Sequence, residues 1–405
     1  MRKSDSRKRL AITGVGIICS IGKNQDEVWA SISEGRAGIG ELTKFEGETF
    51  PTSLAAEAEP ELLEMAGGPK GELKRLSRTD LLAVVAAREA IEQASGKEPL
   101  PPATIVSSGS STGGLLEGES YYFKRLVRGG RKTPPSSVLQ QPTSGPSDAI
   151  ARRFGLEGGV FSNATACASA GAAIGMAADM IRSGYADAAV AGGSDALCRL
   201  TYSGFNVLQA VDPDPCAPFS ADRKGITLGE GAAYLVIERW DAAIDRGATI
   251  LAELCSWGAS CDAHHPTAPV EDGRGASAAM AGALAGRCES VEYVNAHGTG
   301  TTLNDSAETR AIVATLGTAV PTSSTKSFFG HTLGASGALE AVVTVLAIRN
   351  QTAPPTLRLE TPGEDCCLDY IPGTARPMRI ERALSNTFGF GGSNVSLLLR
   401  EAVVD

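Results

Sequence analysis

The sequence predicts an α/β protein of layered sheets with helices between and outside them. Strand-like apolar runs and helix-length segments alternate from one end of the chain to the other, the pattern that layered sheets require. After about residue 248 the alternation restarts, as a weak internal duplication would make it. Two segments dense in small residues, one after Cys167 and one after His331, resemble each other and reinforce that duplication.

The elements follow in order. Leu10 to Val15 reads as a strand, Asp26 to Glu34 as a helix, and Asp80 to Ala94 as a helix with an apolar face of Leu81, Leu82, Val84 and Val85. Thr104 to Ser108 and Ala186 to Gly192 read as strands, the second of them buried. Between these two, Gly158-Gly159-Val160-Phe161 leads into Cys167, and small helix formers run from Ala168 to Ile181. Gly231 to Glu238 is a strand that runs into a helix near Asp241. The second round gives a strand, a helix at Gly273 to Gly286, a strand into His297, a helix at Asp305 to Leu316 and a strand into Lys326. Gly389-Phe390-Gly391-Gly392 forms a tight hairpin leading into a Val395 to Leu399 strand. Two halves result: residues 1–247 carry the cysteine, and residues 248–405 carry the histidines.

Composition bounds the function. A chain of 405 residues ordinarily implies two or three domains, although fused halves can share one core. Only 5% of residues are aromatic, so packing relies on Ala, Val, Leu and Ile. A formal charge of -9 argues against nucleic acid as a partner. The nine cysteines, Cys366-Cys367 among them, are odd in number and lack metal-ligand spacing, which fits a reducing compartment. The basic start, Met1 to Arg9, leads into no apolar signal core of adequate length, and no stretch is expected to reach membrane-spanning length. A soluble, cytoplasmic protein with no metal or redox cofactor is expected.

Cys167 stands at the start of a small-residue helix in Asn163-Ala-Thr-Ala-Cys167-Ala-Ser-Ala-Gly171. There the positive end of the helix dipole favours thiolate, and small neighbours let a substrate approach. Two of the four histidines stand in Gly/Thr-rich turns at strand ends: His297 opens His297-Gly-Thr-Gly-Thr301, and His331 follows Lys326-Ser-Phe-Phe-Gly. Lys326 and Glu340 bracket His331 with a cation and an anion. His264-His265, before Pro266, reads as a loop pair with no role.

Thr165-Ala-Cys167, His297-Gly-Thr-Gly-Thr301, Lys326, Gly330-His331-Thr-Leu-Gly-Ala-Ser-Gly337 and Asn386-Thr-Phe-Gly-Phe-Gly-Gly-Ser-Asn394 occur in this order. In these features the chain resembles β-ketoacyl-[acyl carrier protein] synthases of the Cys-His-His class. The likeness is to the elongating synthase II type and its type II polyketide ketosynthase relatives, and it runs from Ala11 to Leu399. The resemblance implies a thiolase-like αβαβα five-layer sandwich of two pseudo-duplicated halves. It implies a Cys167 nucleophile, His297 and His331 acting on malonyl-carrier protein, and Lys326 keeping the site electropositive with Glu340 as its partner. The amides of Cys167 and Phe390 would form the oxyanion hole, with the Phe390 ring as a gate. Asp305 and Glu308, 8 and 11 residues after His297, would brace its loop; local sequence alone is equally consistent with acidic residues in a first helical turn. Thr302-Leu303-Asn304 stands where synthase II relatives usually carry Pro-x-Gly.

Further expectations rest on the same resemblance. Thr112, in Ser110-Ser-Thr-Gly-Gly114, falls at the far end of the acyl tunnel, where relatives carry an apolar residue. This makes a polyketide or polyene role a competitor of fatty acid elongation. An acidic enzyme needs a basic patch to dock an acidic carrier protein. Lys74, Arg75 and Arg78 are the first candidates, and Lys124, Arg125, Arg128, Arg131 and Lys132 the second. On this reading, charge reversal at Arg78 raises KM for the carrier protein. A thiolase would carry a second cysteine, and a synthase III-type initiator an Asn, in place of a histidine. A chain-length-factor-like subunit would have lost Cys167, commonly to Gln. A dimer is expected, either with a second copy or with such a subunit.

Overall fold

Leu10 to Cys19 is an uninterrupted run of apolar and small residues, and all ten are buried. Strands covered on both faces read in this way, and this one lies at the centre of the architecture. The protein is described by a computed structural model over residues 9–44, 50–58, 61–96, 99–128, 135–285 and 290–403. The strands of its main sheet are β1 (Leu10–Cys19), β2 (Ile105–Gly109), β3 (Val160–Asn163), β4 (Ala188–Asp195) and β5 (Gly231–Arg239) in the first half. The second half supplies β6 (Ala252–Cys261), β7 (Tyr293–Asn295), β8 (Thr322–Ser323), β9 (Arg382–Gly389) and β10 (Ser393–Glu401). Their spatial order is β8-β7-β9-β10-β6-β1-β5-β4-β2-β3.

That order contains the duplication. Counted from the start of each half, both sets of five strands run 3-2-4-5-1. In each set the second, third and fourth strands are parallel, and the fifth pairs antiparallel with the fourth and the first. The two sets meet edge to edge in a short antiparallel ladder, Ala11↔Glu253 and Ile12↔Ala252.

The longer helices are α1 (Gln25–Ser33), α2 (Arg78–Ser95), α3 (Leu115–Arg128), α4 (Gly145–Phe154) and α5 (Ser169–Arg182). They continue with α6 (Arg199–Val207), α7 (Trp240–Asp245), α8 (Arg274–Leu284), α9 (Thr302–Leu316) and α10 (Ser336–Asn350). α2 and α4 cover the outer face of the first set of strands. α8 covers the outer face of the second and packs on α9. Between the sets lie α5 and α10, which touch each other and strands of both halves. This is the αβαβα sandwich. The small residues of the two central helices are explained at their crossing. A Cβ at Gly337 would lie 2.7 Å from the Gly171 amide nitrogen, so only glycine lets the helices approach this closely.

α10 also corrects one expectation. Leu333–Asn350 is long and apolar enough, by length and composition, to cross a membrane. It is instead the middle layer of the sandwich, with 89% of that window buried.

Most sequence-derived elements agree with the structure to within a few residues; β1 continues past Val15 to Cys19 because both of its faces stay covered. The Gly273 to Gly286 helix ends at Leu284, and Gly286 lies outside the described residues. α3, α4 and α6 were not anticipated. α6 has no capping side chain of its own. Its first N–H groups, at Arg199 and Leu200, donate to the Glu119 carboxylate on α3. A cap supplied from 80 residues away leaves no local signal.

Candidate active site

The chain leaves β3 and turns sharply into α5. Ala166 sits at φ +49, in the left-handed region that a residue with a Cβ enters at a cost of about 1–3 kcal/mol. That turn sets Cys167 just before Ala168, the N-cap of α5. The β9–β10 hairpin folds over it. A Cβ at Gly389 would lie 3.1 Å from the Cys167 nitrogen, so the loop presses directly on the elbow. Burial pushes the thiol up to about 11; the Lys326 charge and the amides of Phe390 and Cys167 pull it back. That both amides lower the thiol sets them beside the sulfur, and paired backbone amides there suit an oxyanion. The Phe390 ring lies against Phe205 of α6, with centroids 5.6 Å apart.

His331 comes from the pseudo-equivalent turn of the second half, ahead of α10. Its Nε2 lies 3.1 Å from the Cys167 sulfur. Its Nδ1 accepts the Leu333 N–H at 3.3 Å and faces Ser336 Oγ at 2.9 Å. A backbone donor at Nδ1 places the ring proton on Nε2, aimed at the sulfur. His297 stands almost perpendicular to His331, with centroids 5.4 Å apart. The Lys326 ammonium lies 3.1 Å from His297 Nδ1 and donates to its carbonyl at 2.6 Å. Since Lys only donates, His297 also carries its proton on Nε2. Lys326 completes its contacts with an ion pair to Glu340, both side chains fully buried.

Two carboxylates hold the His297 turn. Glu308 accepts from the amides of His297 and Gly298 at 2.8 and 2.7 Å. Asp305 accepts from Thr299, Gly300 and, across the chain, Phe219. Both carboxylates are buried and so do more than decorate a helix start. Thr302-Leu303-Asn304 forms the first turn of α9, with Thr301 as the cap that accepts the Asn304 N–H.

Cys167, both histidines and Phe390 line one cavity of about 330 Å³, which Phe388 and Leu303 also border. Lys224 reaches its exposed end, and there pairs with Asp214.

The structure separates the other candidates from this cavity. Lys74 and Arg75 are exposed, whereas Arg78 is turned inward. The Arg78 guanidinium pairs with the fully buried Glu230, which Lys44 also reaches. The docking assignment for Arg78 is therefore corrected: a guanidinium committed to a buried carboxylate offers little to a partner. Arg78→Glu should destabilise the fold by about 3–5 kcal/mol, as removal of one partner of a buried pair does. A thermal melt checks this, with KM for the carrier protein little changed in the folded fraction. Thr112 is buried, and its hydroxyl donates to Asp195 at 2.7 Å instead of lining the cavity that holds Cys167. Lys124 and Arg125 are exposed on α3; the Arg128 side chain, Arg131 and Lys132 lie outside the described residues. The His265 ring accepts the Thr267 and Ala268 amides and shapes a loop whose residues 267–269 border the cavity.

Sequence reading missed Ser336, Phe205 and Asp195. The last had a signal: an acid ending the small-residue run Ala188 to Ser194, where nothing local would satisfy it.

Burial, with Lys326 close by, lowers both imidazoles well below their ordinary 6.5. Unfolded histidines take up protons near that pH, so the stability they contribute is lost as pH falls below about 6.5. Burial holds Glu308 and Glu340 up at about 7, with the opposite sign: their contribution is lost as pH rises through 7. The glutamate contribution falls as pH rises from 4.5 to about 7, and the histidine contribution falls as pH drops below 6.5. The two offset each other in acid, so melting temperature should be nearly flat between pH 4.5 and 6.5. Alkylation of Cys167 should climb steadily with pH and show no imidazole step near 6.5.

Residues 7–243 match the profile of the β-ketoacyl synthase N-terminal domain, and residues 251–360 that of the C-terminal domain. The 3-oxoacyl-[acyl-carrier-protein] synthase 2 of Synechocystis sp. is 38% identical over 98% of this chain and 98% of its own. Nodulation protein E of Rhizobium meliloti is 38% identical over 97% of this chain and 99% of its own. Among solved structures, the ishigamide ketosynthase/chain length factor superposes with a TM-score of 0.92 at 34% identity, covering 98% of this chain and 99% of that one. A chain of the complex between the ketosynthase ApeO and its chain length factor ApeC from Xenorhabdus doucetiae gives 0.84 at 32%, covering 99% and 100%. The chain therefore belongs to the β-ketoacyl synthase family of acyltransferases.

Proposed function

We propose that the chain condenses an acyl group held on Cys167 with malonyl-acyl carrier protein, losing CO₂ and giving β-ketoacyl-acyl carrier protein. The observation that carries this reading is the cysteine sulfur 3.1 Å from His331 Nε2, with a second neutral histidine, His297, almost perpendicular to it in the same cavity. The thiolate attacks the acyl thioester, and the carrier leaves as its thiolate, which takes a proton from solvent. Malonyl-carrier protein then enters. The bond to its carboxylate breaks, CO₂ departs, and the electron pair becomes an enolate whose oxygen takes the N–H groups of His297 and His331. The enolate carbon attacks the acyl carbonyl, whose oxygen is received by the amides of Cys167 and Phe390. Expulsion of the Cys167 thiolate completes the cycle. Lys326 positions His297, and Glu340 balances its charge. Neither a metal nor a redox cofactor has a part in this sequence.

A partner subunit is the second reading. Tyr122, Phe123, Leu126 and Val127 leave an apolar face of α3 exposed, and β3 is an edge strand of the sheet. Both features favour a second chain. The ApeO and ishigamide structures are of ketosynthases with a chain length factor, and retention of Cys167 makes this chain the acylated member of such a pair. Lys74 and Arg75 remain the first docking candidates for the carrier protein. The halves divide at residues 247 and 248, in the link between α7 and β6. A cytoplasmic location belongs to the same proposal, since unpaired buried cysteines suit a reducing compartment.

Intact-mass analysis of the purified chain with acyl- and malonyl-carrier protein tests this. An acyl adduct with β-ketoacyl product is expected. An adduct without product would assign the chain to an obligate pair, and no adduct would overturn the role of Cys167. Rates on saturated against polyunsaturated or β-oxo chains then divide fatty acid from polyketide or polyene elongation.

A further inference from the structure

Asp195 ends β4 as a fully buried carboxylate that the chemistry above does not use. Its Oδ1 accepts the hydroxyls of Ser110 and Thr112, both at 2.7 Å, and the Ser111 and Thr112 amides. Its Oδ2 accepts the Ser111 amide at 2.9 Å and, from the other half of the molecule, the Gly334 amide at 2.7 Å. Hydrogen-bond donors alone satisfy this anion, as a buried charge requires.

Each side of the cluster leads to the active site. Ser111 Oγ donates at 3.0 Å to the carbonyl of Ala166, the strained residue that sets the Cys167 turn. Gly334 follows Leu333, which is itself at φ +51 and whose amide fixes the tautomer of His331. One carboxylate therefore ties together the strained Cys167 and His331 turns, one from each half. We infer that Asp195 is a positioning residue for the condensation, setting the Cys167–His331 separation by holding the Ser110–Thr112 loop and the Gly334 amide together. This rests on the condensing function proposed above.

Asp195→Asn is the direct test. The oxygen that takes four donors keeps its place, and the new NH₂ opposes the Gly334 and Ser111 amides. The His331 turn is released, and an ångström-scale misplacement lowers condensation about 100-fold. The carrier-protein KM should stay within about twofold, because the docking surface is untouched. A residue that served only stability would leave kcat of the folded fraction unchanged, so the split between kcat and KM separates the two roles. Asp195 lies close enough for its charge to raise the Cys167 thiol, so its removal should move the pH profile of Cys167 alkylation toward acid.

An unshifted profile with condensation within about threefold of wild type would overturn the inference. So would a loss that only tracks the unfolded fraction. If Asp195→Asn fails to fold, Ser111→Ala decides. It breaks the link to Ala166 and keeps the charge, so acylation should slow about tenfold with no shift in profile, and an unchanged rate overturns the inference. Alkylation needs no carrier protein. A wild-type chain that took no acyl group would thus sink the condensing reading, while the profile still judged Asp195.

Discussion

Cys167→Gln should abolish acyl-enzyme formation and lower condensation by at least about 10⁴-fold, the scale on which loss of a nucleophile acts. The residue faces a cavity of about 330 Å³, which has room for the longer side chain, so the variant should stay folded. Incubation with acyl-carrier protein followed by intact-mass analysis reads the adduct directly. A variant that still took an acyl group would move the nucleophile to another cysteine. Among the described cysteines, Cys167 has a histidine nitrogen against its sulfur, and Cys261 and Cys367 are exposed.

Lys326→Met should have two separable effects. It leaves Glu340 buried without its cation, which costs about 3–5 kcal/mol. For a chain of this size that corresponds to a fall in Tm of roughly 4–6 °C. It also removes the donor that fixes the His297 tautomer, so condensation should drop by about 10²–10³-fold, as loss of one preorganised donor does. Adding Glu340→Gln removes the stranded charge. The double variant should recover most of the Tm and none of the activity. Recovery of both would mean that Lys326 serves only to neutralise Glu340.

How much of this was legible in the sequence follows from the range of each interaction. Cys167 could be placed at a helix start because Ala168 to Ile181 is a local run, and the His297 and His331 turns announce themselves by adjacent Gly and Thr. The repeat of strand and helix predicted the layers, and the common 3-2-4-5-1 order makes the duplication explicit. Arg78 was misread for the opposite reason. It lies beside Lys74 and Arg75 in sequence, but its partner, Glu230, is 152 residues away. Thr112 was misread in the same way, since Asp195 takes its hydroxyl across 83 residues. α6 is capped from α3, so its start left no local signal; α3 does carry an apolar face in Tyr122, Phe123, Leu126 and Val127, which sequence reading passed over.

The sequence by itself determined the inventory: a nucleophile at a helix start, two histidines, a lysine with its glutamate, a glycine-rich hairpin and two similar halves. These depend on residue type and short spacing, which the chain carries with it. The tertiary structure alone decided that His331 Nε2 lies 3.1 Å from the Cys167 sulfur, which ring nitrogen of each histidine holds the proton, and which charges are buried. Those properties come from two helices crossing at paired glycines and from carboxylates that collect donors out of both halves. They exist only once segments more than 160 residues apart are packed together, with Cys167 and His331 separated by 164 positions.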